Sequence, residues 1–241
     1  MLPRVEKIPL TFRTIRKRPF CMDNICYGEI GMTKGKFVVI EGIYGSGRLI
    51  VDLVERLRRS LVAEGKDVYE IDSPDTGRAQ LMGAQELASG WRYGMFKPDF
   101  FFELASRARV CSVTREELKH GKIVLCKSFT VSSIVHARLK GHDWFREDLN
   151  CLEARARGLQ FGGEVAPDLT VFIDFPPEKA AQELGEKMDD LFKPSDLVSQ
   201  KSFYLEEFSK MPDSRYRIID ASRHEDVVFS ETLSAIQSII K

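Results

Sequence analysis

The chain lacks a long hydrophobic segment and an excess of either charge. No apolar run approaches the roughly 20 residues that a transmembrane helix requires, so the sequence predicts no membrane span. Basic and acidic residues number 36 each, which gives a formal net charge of zero and no overall case for binding nucleic acid. With 43% hydrophobic and 30% charged residues, the composition is typical of a soluble globular protein.

Cysteine and histidine are also sparse. The five cysteines are irregularly spaced, and the Cys21–Cys26 pair has no matching second pair, which argues against a structural zinc site. The four histidines are scattered without metal-ligand spacing, so no metal site is predicted. The other cysteines lie in apolar patterns, as reduced core thiols do, and this favours a reducing compartment, either mitochondrial or cytoplasmic.

Residues 1–33 differ in composition from the rest of the chain. Their first twenty positions hold six basic residues against only one acidic residue, Glu6, and prolines at positions 3, 9 and 19 interrupt any long helix. The basic residues are Arg4, Lys7, Arg13, Arg16, Lys17 and Arg18. Three interpretations stay open: a flexible basic arm, a mitochondrial transit peptide, or an arm that docks a protein partner. The segment is therefore separated from a predicted domain at residues 34–241.

From residue 34 onward, β-rich runs alternate with helical patterns. The predicted strands span residues 36–41, 67–71, 122–126, 169–173 and 216–219. The predicted helices span residues 48–64, 78–89, 99–120, 130–139, 144–159, 177–185, 196–210 and 224–240. This alternation predicts an α/β fold, in which helices cover both faces of a parallel sheet and ligands lie at the carboxyl ends of its strands. The polar stretch 185–201, interrupted by Pro194, is either a mobile lid or a surface loop.

A glycine-rich turn follows the first predicted strand. It places three glycines within six residues, and a helical pattern begins directly afterwards. This is the layout of a phosphate-binding loop, in which backbone amides at the helix start face an anion. The predicted nucleotide-binding residues are Gly42, Gly45, Ser46, Gly47 and Arg48. The glycines fit the pattern G-x-x-x-x-G-K-[ST], whereas Arg48 and Leu49 occupy its last two positions.

Three further stretches carry a family resemblance together with this loop. They are Gly121-Lys-Ile-Val-Leu125, Pro167-Asp-Leu-Thr170 followed by Ile173-Asp-Phe-Pro-Pro-Glu178, and Arg217-Ile-Ile-Asp-Ala-Ser222. In this order and spacing they resemble the thymidylate kinases, a family of P-loop nucleoside monophosphate kinases. The resemblance implies a P-loop NTPase fold with a five-stranded parallel sheet in the order 2-3-1-4-5, flanked by helices on both faces. It also implies ATP on the loop at residues 42–49, dTMP in a cleft on the far side of the sheet, and often a homodimer.

The chain departs from this family at the positions that carry the chemistry. Arg48 replaces the loop Lys, Leu49 replaces the hydroxyl residue that contacts Mg²⁺, and Tyr44 replaces an Asp. Lys127 and Ser128 stand where the family has Asp-Arg at the end of a central strand. A carboxylate that would help to hold Mg²⁺ is thereby replaced by a cation. One hypothesis is that Lys127 pairs directly with phosphate and supplies part of the metal's charge.

The acceptor side and the lid are altered as well. Asp72-Ser-Pro-Asp75 lies where the family carries Arg-Glu-Pro-Gly, and His136 lies in the family's Ala-Tyr-Gln region. The stretch 185–201 carries lysines where lid arginines are expected, and Glu183 stands where an Arg is common. Arg107 matches the family's monophosphate-binding Arg, but it equally fits a buried structural Arg.

Three functional hypotheses follow. The first is a thymidylate kinase-like pseudoenzyme with weak or no dTMP phosphorylation, which retains nucleotide binding or has become a structural subunit. The second is an active nucleoside monophosphate kinase, converting ATP and dTMP to ADP and dTDP with Arg48 and Lys127 in a rebuilt site. The third is an accessory subunit of a larger, mitochondrial assembly, docked through its basic arm. ATP and Mg²⁺ are implied only for an active enzyme, and no catalytic residue is assigned at the altered positions.

Overall fold

The computed structural model describes residues 35–71, 96–139, 165–185 and 193–240, with isolated positions at 141, 154, 157 and 158. The basic segment 1–33 and the predicted helix at 78–89 lie outside the described residues. So do nearly all of the predicted helix at 144–159 and the altered stretch 72–75.

Five strands form one parallel sheet. They are β1 (Lys36–Gly42), β2 (Val68–Ile71), β3 (Ile123–Lys127), β4 (Leu169–Asp174) and β5 (Tyr216–Asp220). The strand order is β2-β3-β1-β4-β5, and every neighbouring pair is parallel. Both the fold class and the predicted strand order are confirmed. Because β1 is central, the turn that follows it opens at the middle of the carboxyl edge of the sheet.

The described helices follow the predicted pattern closely. They are α1 (Gly47–Ala63), α2 (Phe96–Lys119), α3 (Thr130–Leu139), α4 (Pro177–Leu184), α5 (Pro194–Phe208) and α6 (Glu225–Gln237). A short 3₁₀ turn at Asp213–Arg215 precedes β5. Each boundary lies within three residues of its prediction, because buried apolar positions at helical spacing set the length of each helix.

The two faces of the sheet bury alternate residues of the same strands. On one face, Val38 and Ile40 of β1 pack with the buried side of α1 and with residues of α6. On the other, Phe37 and Val39 pack with residues of α2. Residues 37–41 are fully or almost fully buried, which explains why β1 reads as a continuous apolar run rather than an alternating one.

One prediction about the stretch 185–201 is wrong for part of its length. Residues 194–200 are helical and belong to α5, so they do not form a surface loop, whereas the mobile-lid alternative stays a prediction. Pro194 is at the start of the helix, where its missing N–H costs nothing. The Asp196 carboxylate accepts a hydrogen bond from the Lys193 amide and fixes this start. Residues 186–192, which include Lys187, lie outside the described part of the chain.

Membrane spans were sought among the helices in the described ranges. None of them is long and apolar enough to cross a bilayer.

Candidate functional site

The glycine-rich loop packs tightly against helix α4. Gly45 has a φ of 86°, a region that L side chains rarely adopt. A Cβ atom at this position would lie 2.4 Å from the Ala180 carbonyl oxygen. Only glycine therefore fits here without displacing the helix, and the loop conformation depends on contact with α4.

Ser46 and the first turn of α1 complete the loop. Ser46 is buried, and its Oγ donates to the Ile43 carbonyl oxygen at 2.5 Å. The Ile50 amide donates to the Ser46 carbonyl at 3.0 Å, so the helix begins directly after the loop. Gly47 and Arg48 are exposed at this helix start. Amides of a first helical turn have no partner within the helix, and they point towards any anion bound in front of the loop.

Leu49 lies at the position where the resemblance predicts a hydroxyl. It is partly buried and packs against the core formed by β1 and α1, while Ile50 is almost fully buried. Both side chains therefore have packing contacts with this core, and their place beneath the loop stays a prediction. An aliphatic side chain has no oxygen for a metal ion, and this one packs against the core.

Tyr44 is bound on two sides rather than exposed. Its backbone amide donates to Gln200 Oε1 of α5 at 2.9 Å, and its hydroxyl hydrogen-bonds the His136 ring of α3. The two rings also meet edge-on, with centroids 5.9 Å apart. Two of the departures from the family therefore contact each other. Spacing alone could not reveal this, because 92 residues separate the partners.

Lys127 is paired with an acidic residue that sequence reasoning missed. Its Nζ donates to Glu70 Oε1 of β2 at 2.8 Å, and both side chains are mostly buried, with exposed fractions of 16% and 26%. The sequence signal that could have indicated this pair is the two-residue period of side chains along β2 and β3. Alternation puts Glu70 on the same sheet face as Val68, and Lys127 on the same face as Ile123 and Leu125, which is the face that α1 covers.

Ser128 turns the chain sharply after β3. Its φ is 62°, in the left-handed region, and its amide donates to the Ile40 carbonyl at 2.9 Å. The next amide, that of Phe129, donates to Glu41 Oε1 at 2.9 Å. These two bonds join the end of β3 to the end of β1 just before the loop. Ser128 thus sets the backbone geometry at a position where the resemblance predicts an Arg.

Glu41 is fully buried beneath the loop. Burial raises the pKa of its carboxyl from 4.5 to about 7, although the Phe129 amide and the Arg107 charge both act to lower it. The Tyr204 hydroxyl of α5 also donates to Glu41 Oε2 at 3.4 Å. Burial likewise raises the pKa of Tyr204 well above its ordinary value. This carboxyl therefore links β1, the turn at Phe129 and α5.

Arg107 is buried in the interior of the domain. It donates to the Phe129 carbonyl at 2.9 Å and to Ser133 Oγ at 2.7 Å, and its guanidinium lies 4.4 Å from the centre of the Phe129 ring. These contacts hold the beginning of α3 against α2. They account for a structural role, and the assignment of Arg107 to monophosphate binding stays a prediction.

Within the described ranges, the acidic residues at the carboxyl ends of the strands have partners. Glu70 binds Lys127, Glu41 binds the Phe129 amide, and Asp220 accepts from the Ser222 amide at 2.9 Å. Asp174 lies 2.7 Å from Lys201. Across the described ranges, no three His, Cys, Asp or Glu side chains are grouped to hold a metal ion. Together with Leu49 at the hydroxyl position, this donor set does not fit the Mg²⁺ ion that the family implies.

A cavity of about 410 Å³ lies on the sheet face opposite α1. It extends from Glu41 and Phe129 towards Ala166 and Pro167, which precede β4. The cavity therefore runs from beneath the loop to the amino edge of the sheet. Arg107 is not among the described residues that line it.

A parallel sheet whose central strand leads through a glycine-rich turn into a helix defines the P-loop class of α/β proteins. The thymidylate kinase family model matches residues 40–232, and the chain belongs to this family. It is 31% identical to the thymidylate kinase of Pelotomaculum thermopropionicum over 86% of this chain and 95% of that protein. Similar proteins include those named thymidylate kinase in Burkholderia cenocepacia, at 29% identity over 80% and 92%, and in Mycoplasmoides gallisepticum, at 25% over 87% and 98%.

Proposed function

We propose that this member of the thymidylate kinase family binds a nucleotide at the loop of residues 42–49 and transfers phosphate weakly or not at all. The family membership supports a nucleoside phosphate as the ligand. Gly47 and Arg48 support anion binding, because both are exposed at the start of a helix whose amides face outward.

The ion pair between Lys127 and Glu70 carries the proposal. Phosphoryl transfer depends on cations that neutralise the charge developing on the transferred group, and Mg²⁺ is the usual one. At the strand end where the family has a carboxylate, this chain has a lysine bound to a glutamate at 2.8 Å. A metal ion about 4 Å from this ammonium would be repelled by roughly 1–4 kcal/mol per unit charge.

Three other observations support the same conclusion. Leu49 has no oxygen and packs into the core. Tyr44 is held by Gln200 and His136 rather than presenting a carboxylate. Glu183 on α4, Lys193 just before α5 and Lys201 on α5 stand where the resemblance predicts arginines, and Lys201 is paired with Asp174. An arginine placed on the transferring phosphate contributes roughly 10³–10⁵ in rate, so its loss alone is severe.

A coupled assay of ADP release with ATP, dTMP and Mg²⁺ tests the proposal. The expected turnover is at least about a hundredfold below the roughly 1–100 s⁻¹ of ordinary kinases. Calorimetry with ATP on the same preparation is expected to show binding. Turnover in the ordinary range would overturn the weak-transfer proposal, and the absence of ATP binding would overturn its nucleotide-binding part.

One observation favours a second candidate, an active kinase with a rebuilt site. The altered residues are not left without contacts, since Tyr44 contacts His136 and Lys127 contacts Glu70. Replacements that contact other side chains are also expected in a catalytic site that has been rebuilt with different residues and still transfers phosphate. The assay separates the two candidates, because an active enzyme loses turnover in Lys127→Ala, whereas a pseudoenzyme has little turnover to lose.

An accessory role in a larger, mitochondrial assembly belongs to the same proposal. It rests on the basic residues between positions 4 and 18, which would dock an acidic surface of a protein partner or a second copy of the chain. Light scattering of the full chain tests self-association against the 27.5 kDa of a monomer. Reversing the charges of Arg16, Lys17 and Arg18 is expected to abolish self-association. If the charge-reversed variant has the same molar mass as an associated unaltered protein, the basic arm does not mediate the association.

A further inference from the structure

We infer that the cavity on the sheet face opposite α1 binds a small organic anion, with an apolar body inside the cavity and its charge at Arg215. This site is separate from the loop. Of residues 42–49, which the structure describes in full, none lines the cavity. The inference therefore goes beyond the proposed nucleotide binding and does not depend on it.

The walls of the cavity are mostly apolar and belong to regular elements. Val39 of β1 lines one side, and Phe129, Val131 and Ile134 line the side of α3. All four are at most 9% exposed, so the packing of the domain fixes their positions. A volume of about 410 Å³ lies within the range of small-molecule sites, roughly 300–1,000 Å³. At roughly 30 Å³ for each water-sized group, a ligand of about twelve non-hydrogen atoms fits inside.

Polar groups also line the cavity. Thr130 Oγ1 is buried, and it has no hydrogen-bond partner among the described residues. Thr170 of β4 is 4% exposed, and Glu41 is fully buried at the end beneath the loop. A buried hydroxyl without a partner is unfavourable, and a polar atom of a ligand removes this cost. The lining therefore favours a ligand that carries a hydroxyl or a similar group on its apolar body.

Arg215 supplies the positive charge at the other end of the cavity. It lies on the 3₁₀ turn before β5, at the amino edge of the sheet, and it is exposed. Within the described ranges its guanidinium has no hydrogen bond or ion pair. The Asp213 carboxylate on the same turn accepts a hydrogen bond from the Tyr216 hydroxyl instead, at 3.3 Å. A guanidinium of this kind can bind two oxygens of a carboxylate or phosphate at once.

Most other charges around the cavity neutralise one another. Lys210 lies 2.8 Å from Glu206 and 2.9 Å from Glu207, and Arg138 binds the same two carboxylates. Two cations thus balance two anions in this cluster. Arg157 also lines the cavity and is positively charged. Apart from the carboxyl beneath the loop, the lining therefore has an excess of positive charge, which favours an anion over a cation.

The test is a titration of the full chain with para-hydroxyphenylpropionate, followed by the NMR signals of the backbone amides. This probe joins a carboxylate to a phenol hydroxyl through an apolar body. Shift changes are expected at Thr130, Thr170 and Arg215, with a dissociation constant at or below about 1 mM. The neutral amide of the probe is expected to bind about threefold to tenfold more weakly, because it lacks the charge. Phenylpropionate, which lacks the hydroxyl, is expected to bind about threefold more weakly than the probe.

Two variants at Arg215 test its role. Arg215→Ala is expected to weaken binding of the probe by about threefold to tenfold and to leave binding of the neutral amide unchanged. Arg215→Lys keeps the charge and is expected to recover part of the lost affinity. Arg48→Ala is the matched control, because Arg48 is also an exposed arginine without a partner in the described part of the chain, but it lies at the loop. Its affinity for the probe is expected to be unchanged.

A third variant tests the space inside the cavity. Ile134→Phe adds a larger side chain to the wall formed by α3. It is expected to weaken binding of the probe and of its neutral amide alike, by about fivefold or more, because both need the same volume. Thermal unfolding shows whether each variant is folded before its affinity is compared. Should this substitution prevent folding, the variants of the exposed Arg215 still decide the test.

Three outcomes would overturn the inference. Shift changes confined to Gly47 and Arg48 would show that the probe binds only as an anion at the loop. Absence of any shift change at millimolar probe would show that the cavity does not bind this class of ligand. Equal affinities of the unaltered protein and Arg215→Ala would contradict the role given to Arg215. None of these outcomes affects the nucleotide-binding proposal, which calorimetry with ATP tests separately.

Discussion

At the scale of single residues, Gly45 and Gly47 are expected to differ in how well they tolerate substitution by alanine. Gly45 has a φ of 86° and lies against the Ala180 carbonyl, whereas a Cβ on Gly47 would meet nothing within 4 Å. Gly45→Ala is expected to lower the free energy of unfolding by about 2–4 kcal/mol, through backbone strain and displacement of α4. Gly47→Ala, in the first turn of α1, is expected to be neutral or to stabilise by up to about 1 kcal/mol. Urea unfolding measures both, and equal effects would contradict the tight contact with α4.

Glu41 gives the molecule a pH dependence of definite sign. Burial raises the pKa of this carboxyl to about 7 in the folded state, above its ordinary value of 4.5. The folded state therefore holds the proton more tightly, and this contribution to stability is present below pH 4.5 and lost as pH rises through 7. Between pH 5 and 8 the unaltered protein is expected to lose about 2.5 kcal/mol of unfolding free energy relative to Glu41→Gln.

Urea unfolding at a series of pH values checks the Glu41 prediction. The comparison with Glu41→Gln cancels the contributions of all other ionisable groups, because both proteins share them. Glutamine also keeps an oxygen for the Phe129 amide, so the variant removes the titration and little of the bonding. A difference between the two proteins that stays constant with pH would contradict the raised pKa.

The same residues show what a sequence can and cannot predict. The loop glycines and the burial of Leu49 follow from local spacing, because they depend on residues a few positions away. The contacts of Tyr44 with His136, and of Lys127 with Glu70, join segments 92 and 57 residues apart. Such pairs are set by the strand register and by how α3 packs, and a single sequence carries no direct record of either.

At the scale of elements, Arg138 joins α3 to α5. Its guanidinium binds Glu206 at 2.7 Å and Glu207 at 3.1 Å, and it lies 4.1 Å from the centre of the Phe203 ring. Arg138→Ala is expected to cost about 1.5–3 kcal/mol of unfolding free energy, because the mostly buried Glu207 loses a cation and Phe203 loses its cover. The loss of unfolding free energy is limited because Lys210, 2.9 Å from Glu207, remains as a cation beside that carboxylate.

Arg59 is the control for that experiment. It pairs with Glu55 at 2.7 Å, but 73% of its side chain is exposed. Arg59→Ala is expected to change the free energy of unfolding by less than about 0.5 kcal/mol, as for an exposed helix pair. A comparable loss in both variants would mean that Arg138 contributes only surface electrostatics.

The elements themselves were largely predictable, and the exception is instructive. Apolar periodicity located every described strand and helix, because each one buries a face against the sheet. The start of α5 was assigned to a loop or lid since residues 194–196 are polar and begin with proline. Polar residues and proline are also what the first turn of a helix favours, so composition alone does not distinguish the two.

At the scale of the whole molecule, bound nucleotide is expected to raise the melting temperature. ATP at a hundred times its dissociation constant adds about 2.7 kcal/mol to the stability of the folded state. For a chain of 241 residues this corresponds to a rise of roughly 5–10 °C. Differential scanning calorimetry measures it, and an unchanged melting temperature at saturating ATP would contradict nucleotide binding.

The pairing of Lys127 with Glu70 also bears on how this chain can evolve. A single Lys127→Asp change, which returns the family's residue, would set a second carboxylate beside Glu70. Two like charges at that distance repel, so the reversion would lower stability before a metal ion could recover the loss. Replacing Glu70 first would instead leave a mostly buried lysine without its carboxylate. Each first step is unfavourable, so a change at either position is expected to be tolerated only together with a change at the other.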